Sequence, residues 1–180
     1  PGPNPYGIPR IFLAGVGPVM TETAGEVGDG YLVHPFHTPE FLQQHALPAL
    51  QRGLDKSGRQ RSDIQVSCQL IVATGLNEQE YEQARAAARS QIAFYASTPA
   101  YKVVLDCLGL GELQQELNRL SKAGDWNSMN ALVGDELLEK IAITGTPKEV
   151  GEKIRQRCTG VCDRISPVVY APTTELMLAL

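Results

Sequence analysis

The sequence predicts an α/β fold in which parallel strands lie inside a layer of helices. Three observations predict it. Short apolar runs alternate with stretches of helical spacing along the chain, the order that builds βα units and a parallel sheet. The longest of these runs, Ile64 to Ala73, is rich in Val, Ile and Leu and carries no charge, as suits a strand buried on both faces. Helix starts are marked by Thr38-Pro39, by Asn77 with Glu80, and by Thr146-Pro147 with Glu149, which are capping residues with prolines and glutamates at the positions a first turn accepts. About four parallel strands are expected, half the number in a closed (β/α)8 barrel.

Each element has its own local reason. The first strand is Arg10 to Ala14, ended by Gly15-Val16-Gly17-Pro18. A helix follows over Pro18 to Val27, with Met20, Ala24 and Val27 spaced for one face. The second strand is Gly30 to Val33, ending in His34-Pro35-Phe36. Thr38 then caps a helix carrying Phe41, Leu42, His45, Leu47 and Leu50, in which Pro48 predicts a kink or an early end. After the third strand, Ile64 to Ala73, a long helix runs from Asn77 through Ala96. Further helical stripes follow: Val104, Leu105 and Leu108, closed by Gly109; Leu113, Leu117 and Leu120; Met129 and Val133; Leu137, Leu138 and Ile141. They make a helical insertion over residues 77–140, before the last βα unit. The last helix opens at Thr146 and carries Val150 and Ile154, and the last strand is Ile165 to Ala171.

At 180 residues and 43% hydrophobic content the chain suffices for one domain with a real core. A net charge of −4 with scattered Lys and Arg leaves no footprint for nucleic acid. No apolar run approaches the ~18 residues of a membrane span. Cys68, Cys107, Cys158 and Cys162 lack zinc-site spacing and read as reduced thiols of a cytoplasmic protein, Cys68 within a strand core. The opening Pro1-Gly-Pro-Asn-Pro5, without an initiator Met, reads as an interior linker of a longer chain.

The candidate functional residues cluster early. Gly15, Val16 and Gly17 end a strand and precede a helix, where backbone N–H groups meet a phosphate; the same residues also suit a plain tight turn. Asp29 reads as a turn residue. His34 ends a strand and is a candidate pocket residue, whereas His37 reads as a loop residue beside the Thr38 cap and His45 as structural. No metal site is expected, since Pro35 interrupts the His34–His37 pair and no third ligand stands nearby. Tyr95 and Tyr101 are candidates to face a substrate, with core packing the default for aromatics at helical spacing, and Trp126 reads as packing between helices. No Ser-His-Asp, Cys-His or paired-carboxylate arrangement is legible. Such a chain fits chemistry in which a cofactor does the hard step.

Four stretches carry a resemblance: Ile11-Phe-Leu-Ala-Gly-Val-Gly-Pro-Val-Met20, Ala24-Gly-Glu-Val-Gly-Asp-Gly30, Ile92-Ala-Phe-Tyr-Ala-Ser-Thr-Pro-Ala-Tyr101 and Ala142-Ile-Thr-Gly-Thr-Pro-Lys-Glu-Val150. In this order and spacing they resemble the C-terminal half of the luciferase-like monooxygenase superfamily, (β/α)8 barrels of TIM type, and most closely its F420-dependent oxidoreductase branch. Gly28 stands where that family usually has Ala. The resemblance implies hydride transfer between F420, alternatively FMN, and a small-molecule substrate. It implies a cofactor-phosphate loop of Ala14, Gly15, Val16 and Gly17 with Met20, and a pocket reached by His34 and Tyr95. It also implies that four strands precede Pro1, so that this half forms a homo-oligomer or pairs with the missing N-terminal half. A non-catalytic half-barrel serving assembly is the other expectation.

Overall fold

The computed structural model describes residues 2, 4–170, 172 and 174–179, with the backbone only for 177–179. The Pro-rich opening at Pro1 and Pro3, and the expected end of the last strand at Ala171, lie outside the described residues. The elements alternate as the patterning requires. β1 (Phe12–Gly15) leads into α1 (Pro18–Val27) and β2 (Gly30–Val33). Next, α2 (Pro39–Phe41) passes through a π-helical turn, Leu42–Ala46, into α3 (Leu47–Ser57), and β3 (Gln65–Ala73) follows. The insertion then packs α4 (Glu78–Ala96), α5 (Lys102–Asp106), α6 (Gly111–Ala123), α7 (Trp126–Leu132) and α8 (Asp135–Ile141) before β4 (Ile143–Thr144). α9 (Pro147–Cys158), β5 (Arg164–Val169) and α10 (Thr174–Ala179) complete the order.

All five strands form one parallel sheet in the order β1-β2-β3, with β5 on the far side of β3. The fifth strand, β4, was not expected. It is two residues long and pairs only with Val72 and Ala73, the last rungs of β3, which is too short for a periodicity to show. β3 is the sheet's centre, with Val66, Cys68, Leu70, Ile71, Val72 and Ala73 almost fully buried. β1 and β5 are its open edges, and β5 is exposed over its first four residues. Four long-paired strands with helices outside match half of a (β/α)8 barrel.

Small residues decide how the first helices pack. A Cβ on Gly25 would lie 2.2 Å from the Leu50 carbonyl oxygen, and one on Gly53 1.9 Å from that of Glu22. The face of α1 that is buried is therefore Thr21, Ala24 and Gly25. The expected face fails in part: Met20 is 47% and Val27 67% exposed, because backbone contact with α3 favours the side that carries no bulk. Glu22 closes the same seam with Arg52 at 3.2 Å and with Lys56.

Pro48 neither ends nor breaks its helix. The π-helical turn just before it absorbs the missing donor, with Leu47 N–H bonding to the Leu42 carbonyl, and α3 continues to Ser57. The Thr38 cap accepts from Phe41 N–H at 3.1 Å, and Thr146 and Glu149 form the reciprocal capping box. Asn77 accepts from Glu80 N–H, but the Glu80 carboxylate accepts from Leu76 N–H rather than from that of Asn77. In the insertion, Arg85 and Arg89 both grip Asp135, at 2.7 and 2.6 Å. Trp126 does not pack between helices: it is 52% exposed at the start of α7, and Met129 fills the buried position. No helix among the described residues is long and apolar enough to cross a membrane.

Candidate functional site

The carboxyl ends of β1 and β2, with Gln69 from the middle of β3, open onto a cavity of about 360 Å³. Its walls include Ala14, Gly15, Val16 and Gly17 together with His34, Gln69 and Tyr101. Five residues read from the sequence as candidates are thus brought together: Ala14, Gly15, Val16, Gly17 and His34. Two stand apart from the wall. The Met20 side chain is turned to the outside of α1, with its Cβ lying under Gly15, where an added Cβ would come within 2.6 Å of it. Tyr95 sits behind His34, its ring edge-on to the imidazole at 4.7 Å.

The glycine loop is held from below by residues that sequence reasoning passed over. The buried Tyr31 hydroxyl donates to the Gly15 carbonyl at 2.8 Å. The Thr21 hydroxyl lies 3.2 Å from Tyr31 Oη and 3.1 Å from the Gly17 carbonyl, either of which can take its hydrogen. Burial raises the Tyr31 pKa, keeping it a donor. Because the peptide is trans, fixing the Gly15 carbonyl directs the Val16 N–H to the opposite side. A tyrosine inside an apolar strand is the signal that could have found this support, since a buried phenol needs a partner.

α1 starts without a side-chain cap, as α5, α6 and α8 also do. Thr38, Asn77, Asp125 and Thr146 each cap a helix with a side-chain bond, whereas Gly17 offers none to α1 and no acid stands in its first turn. Val19 and Met20 N–H lack intrahelical acceptors by position. Together with Val16 and Gly17 they give a set of backbone donors beside the positive end of the helix dipole. Gly17 itself faces open space, with nothing within 4 Å of an added Cβ.

His34 and Tyr101 line the cavity, and uncharged aromatic rings pack around them. His34 stacks on Tyr101 with ring centroids 4.5 Å apart, and Phe36 lies about 6 Å from both Tyr95 and Tyr101. Phe36 N–H donates to His34 Nδ1 at 3.2 Å, and His34 Nε2 lies 3.2 Å from Tyr101 Oη. Burial lowers the His34 pKa. The hydroxyls of Tyr170 and Tyr95 pair nearby, and burial with that bond raises the Tyr170 pKa. His37 is a loop residue beside the Thr38 cap, as its sequence position suggests, and it is buried there. It is 2% exposed and its Nδ1 bonds the His34 carbonyl at 2.8 Å. Burial pushes its pKa down to about 4. His45 is exposed and stacks on Phe41.

Other features are structural. Asp29 accepts from Ile11 N–H at 2.8 Å, at the far end of β2 from the cavity. A larger cavity of about 480 Å³ lies beside Lys153 and Arg157, but both cations are bonded to backbone carbonyls of Thr144 and Ile141. Cys68 is buried in β3, and burial raises its pKa and that of Cys158. Among the described residues no group of three or more His, Cys, Asp or Glu could hold a metal ion.

Comparison with known proteins places these features in a family. Residues 1–163 match the model for luciferase-like monooxygenases. The chain is 48% identical to an uncharacterized protein of Mycobacterium tuberculosis over 99% of its own length and 53% of that protein's. It is 32% identical to 5,10-methylenetetrahydromethanopterin reductase of Archaeoglobus fulgidus, over 86% of this chain and 46% of that one. Among solved structures it is similar to the coenzyme F420-dependent tetrahydromethanopterin reductase of Methanopyrus kandleri, with a TM-score of 0.72 and 26% identity over 88% of this chain and 44% of that one. The chain spans about half the length of the curated relatives it matches.

Proposed function

The chain belongs to the luciferase-like monooxygenase family, and from that premise we propose that it forms the cofactor-phosphate half of an F420-dependent oxidoreductase. The observation that carries this reading is the start of α1. A helix without a side-chain cap opens behind a glycine turn, on the rim of a cavity at the carboxyl ends of β1 and β2. Backbone amides of Val16, Gly17, Val19 and Met20 would hold the phosphate, with Ala14 and Gly15 forming the wall beside it. Tyr31 and Thr21 would keep the loop's peptides in place for it. The donor set fits the group: it is all backbone, it faces open space at Gly17, and no side-chain anion competes for it. F420, when bound, supplies hydride transfer to or from a small organic substrate. Two relatives named as F420- or methanopterin-linked reductases favour F420 over FMN, whose phosphate would suit the same loop.

His34 would line the pocket, with Tyr95 fixing its ring from behind. The open edges of β1 and β5 support completion of the barrel by further strands, from an N-terminal half or from a second copy. The same edges favour a second reading, in which the chain is an assembly partner without turnover. Amide NMR tests the first reading. Added F420 should shift the Gly15, Val16 and Gly17 N–H signals, and inorganic phosphate should shift the same ones more weakly. Shifts confined to other residues would refute the loop assignment. Solution mass tests the second: a stable dimer with no F420 binding would favour it.

A further inference from the structure

Tyr101 does not belong to the phosphate loop, yet it lines the same cavity. Its hydrogen-bond geometry determines what it can offer there. The Phe36 backbone N–H points at His34 Nδ1, and a backbone amide can only donate. His34 Nδ1 is therefore bare, and a neutral imidazole must carry its proton on Nε2. Burial of the ring favours that neutral form. Nε2 faces Tyr101 Oη at 3.2 Å, so His34 donates and the phenol oxygen accepts. The phenol hydrogen is left to point elsewhere, and no other protein acceptor for it is found among the described residues.

The imidazole is itself fixed on several sides. Tyr101 stacks on one face at 4.5 Å and Tyr95 stands edge-on at 4.7 Å. His37 Nδ1–H, held in the buried turn, donates to the His34 carbonyl. The donor is thus preorganised before any ligand arrives, which is what makes a polar contact effective in a pocket. Around it the wall is uncharged, being formed by Leu32, Val33, Gln69 and Ala100 as well as the loop.

We propose that Tyr101 is a ligand-facing hydrogen-bond donor, set by the Nε2–H of His34 as its positioning residue, and that it recognises an uncharged oxygen or nitrogen acceptor of the cofactor. The acceptor class is a sugar-alcohol hydroxyl or a ring carbonyl, because the cavity is continuous with the proposed phosphate loop and offers no charged side chain. This rests on the cofactor reading above. It adds a specificity contact to the part of the cofactor that phosphate binding cannot distinguish.

The test combines F420 fluorescence titration with ¹⁵N NMR of the histidine rings, both on this chain. Tyr101→Phe removes only the hydroxyl and should weaken F420 binding about 2- to 13-fold, the range expected for one neutral hydrogen bond. Inorganic phosphate binding should be unchanged. Tyr6→Phe, at a residue 95% exposed, should bind as the parent does. His34→Phe keeps a ring to stack but loses the donor, and the double variant should bind no more weakly than Tyr101→Phe alone, since His34 acts through Tyr101. Should His34→Phe fail to fold, the ring nitrogens of the parent chain decide the point: Nε2 protonated and Nδ1 bare at neutral pH support the arrangement, and the opposite tautomer overturns it. Unchanged F420 affinity in Tyr101→Phe, with binding by the parent intact, overturns the Tyr101 assignment alone. F420 binding that leaves the Gly15–Gly17 amides unmoved overturns the phosphate loop alone, and no binding by the parent chain overturns both.

Discussion

Replacing Gly17 with Asp separates binding from stability at a single position. Gly17 has φ −74° and ψ 153°, an extended N-cap geometry open to any residue, and an added Cβ meets nothing within 4 Å. An aspartate there supplies the side-chain cap that α1 lacks. Over glycine, a cap is worth a few tenths of a kcal/mol, and a carboxylate at a helix N-terminus adds about 0.3–1 kcal/mol. For a chain of this size the sum corresponds to a rise in Tm of roughly 1 to 6 °C. The same carboxylate would stand among the amides proposed to hold phosphate. Two unit charges about 4 Å apart repel by about 1 kcal/mol in water and about 4 kcal/mol at a protein surface. Affinity for F420 should therefore fall about 5- to 1000-fold while the protein becomes more stable. Fluorescence titration and thermal melts on the one variant check both halves. A Gly17→Asp protein that binds F420 as tightly as the parent would refute the anion-cradle reasoning.

Three other perturbations test the supporting structure. Tyr31→Phe leaves the Gly15 carbonyl without its donor, and should cost about 1–3 kcal/mol in a urea titration and weaken F420 binding. Gly53→Ala places a methyl 1.9 Å from the Glu22 carbonyl; it should cost about 1–3 kcal/mol of stability by forcing α1 from α3. His37 gives an acid-sensitive component of stability. Its folded pKa is about 4 against about 6.5 unfolded. Above pH 6.5 both states are neutral and nothing is lost. Between pH 6.5 and 4 only the unfolded chain takes up the proton, so stability falls by roughly 3 kcal/mol in all. His37→Gln should flatten this part of the urea-midpoint profile, and an equally steep profile in the variant would contradict it.

The βα order was legible because each strand and helix start carries its own local signal. Thr38, Asn77 and Thr146 mark helix starts by chemistry that needs no tertiary partner. What was not legible depended on contacts made across the fold. Gly25 and Gly53 show their purpose only when α1 lies against α3, and the buried face of α1 shifts accordingly. β4 exists because the end of β3 needs a partner, not because Ile143 and Thr144 have a pattern of their own. In the site, Gly15-Val16-Gly17 announced itself through glycine spacing. Tyr31 beneath it, and the bond from His34 to Tyr101, join residues 16 and 67 positions apart, which no local motif encodes. His37 was legible as a loop residue beside the Thr38 cap, but its burial was not, since that depends on the turn folding over it.

A crystal structure of the chain soaked with F420 tests the central claim most directly. The account predicts phosphate oxygens about 3 Å from the Val16 and Gly17 amide nitrogens, with the remainder of the cofactor in the cavity between the glycine loop and Tyr101. A phosphate found instead beside Lys153 and Arg157, with the α1 N-terminus free of ligand, would contradict it.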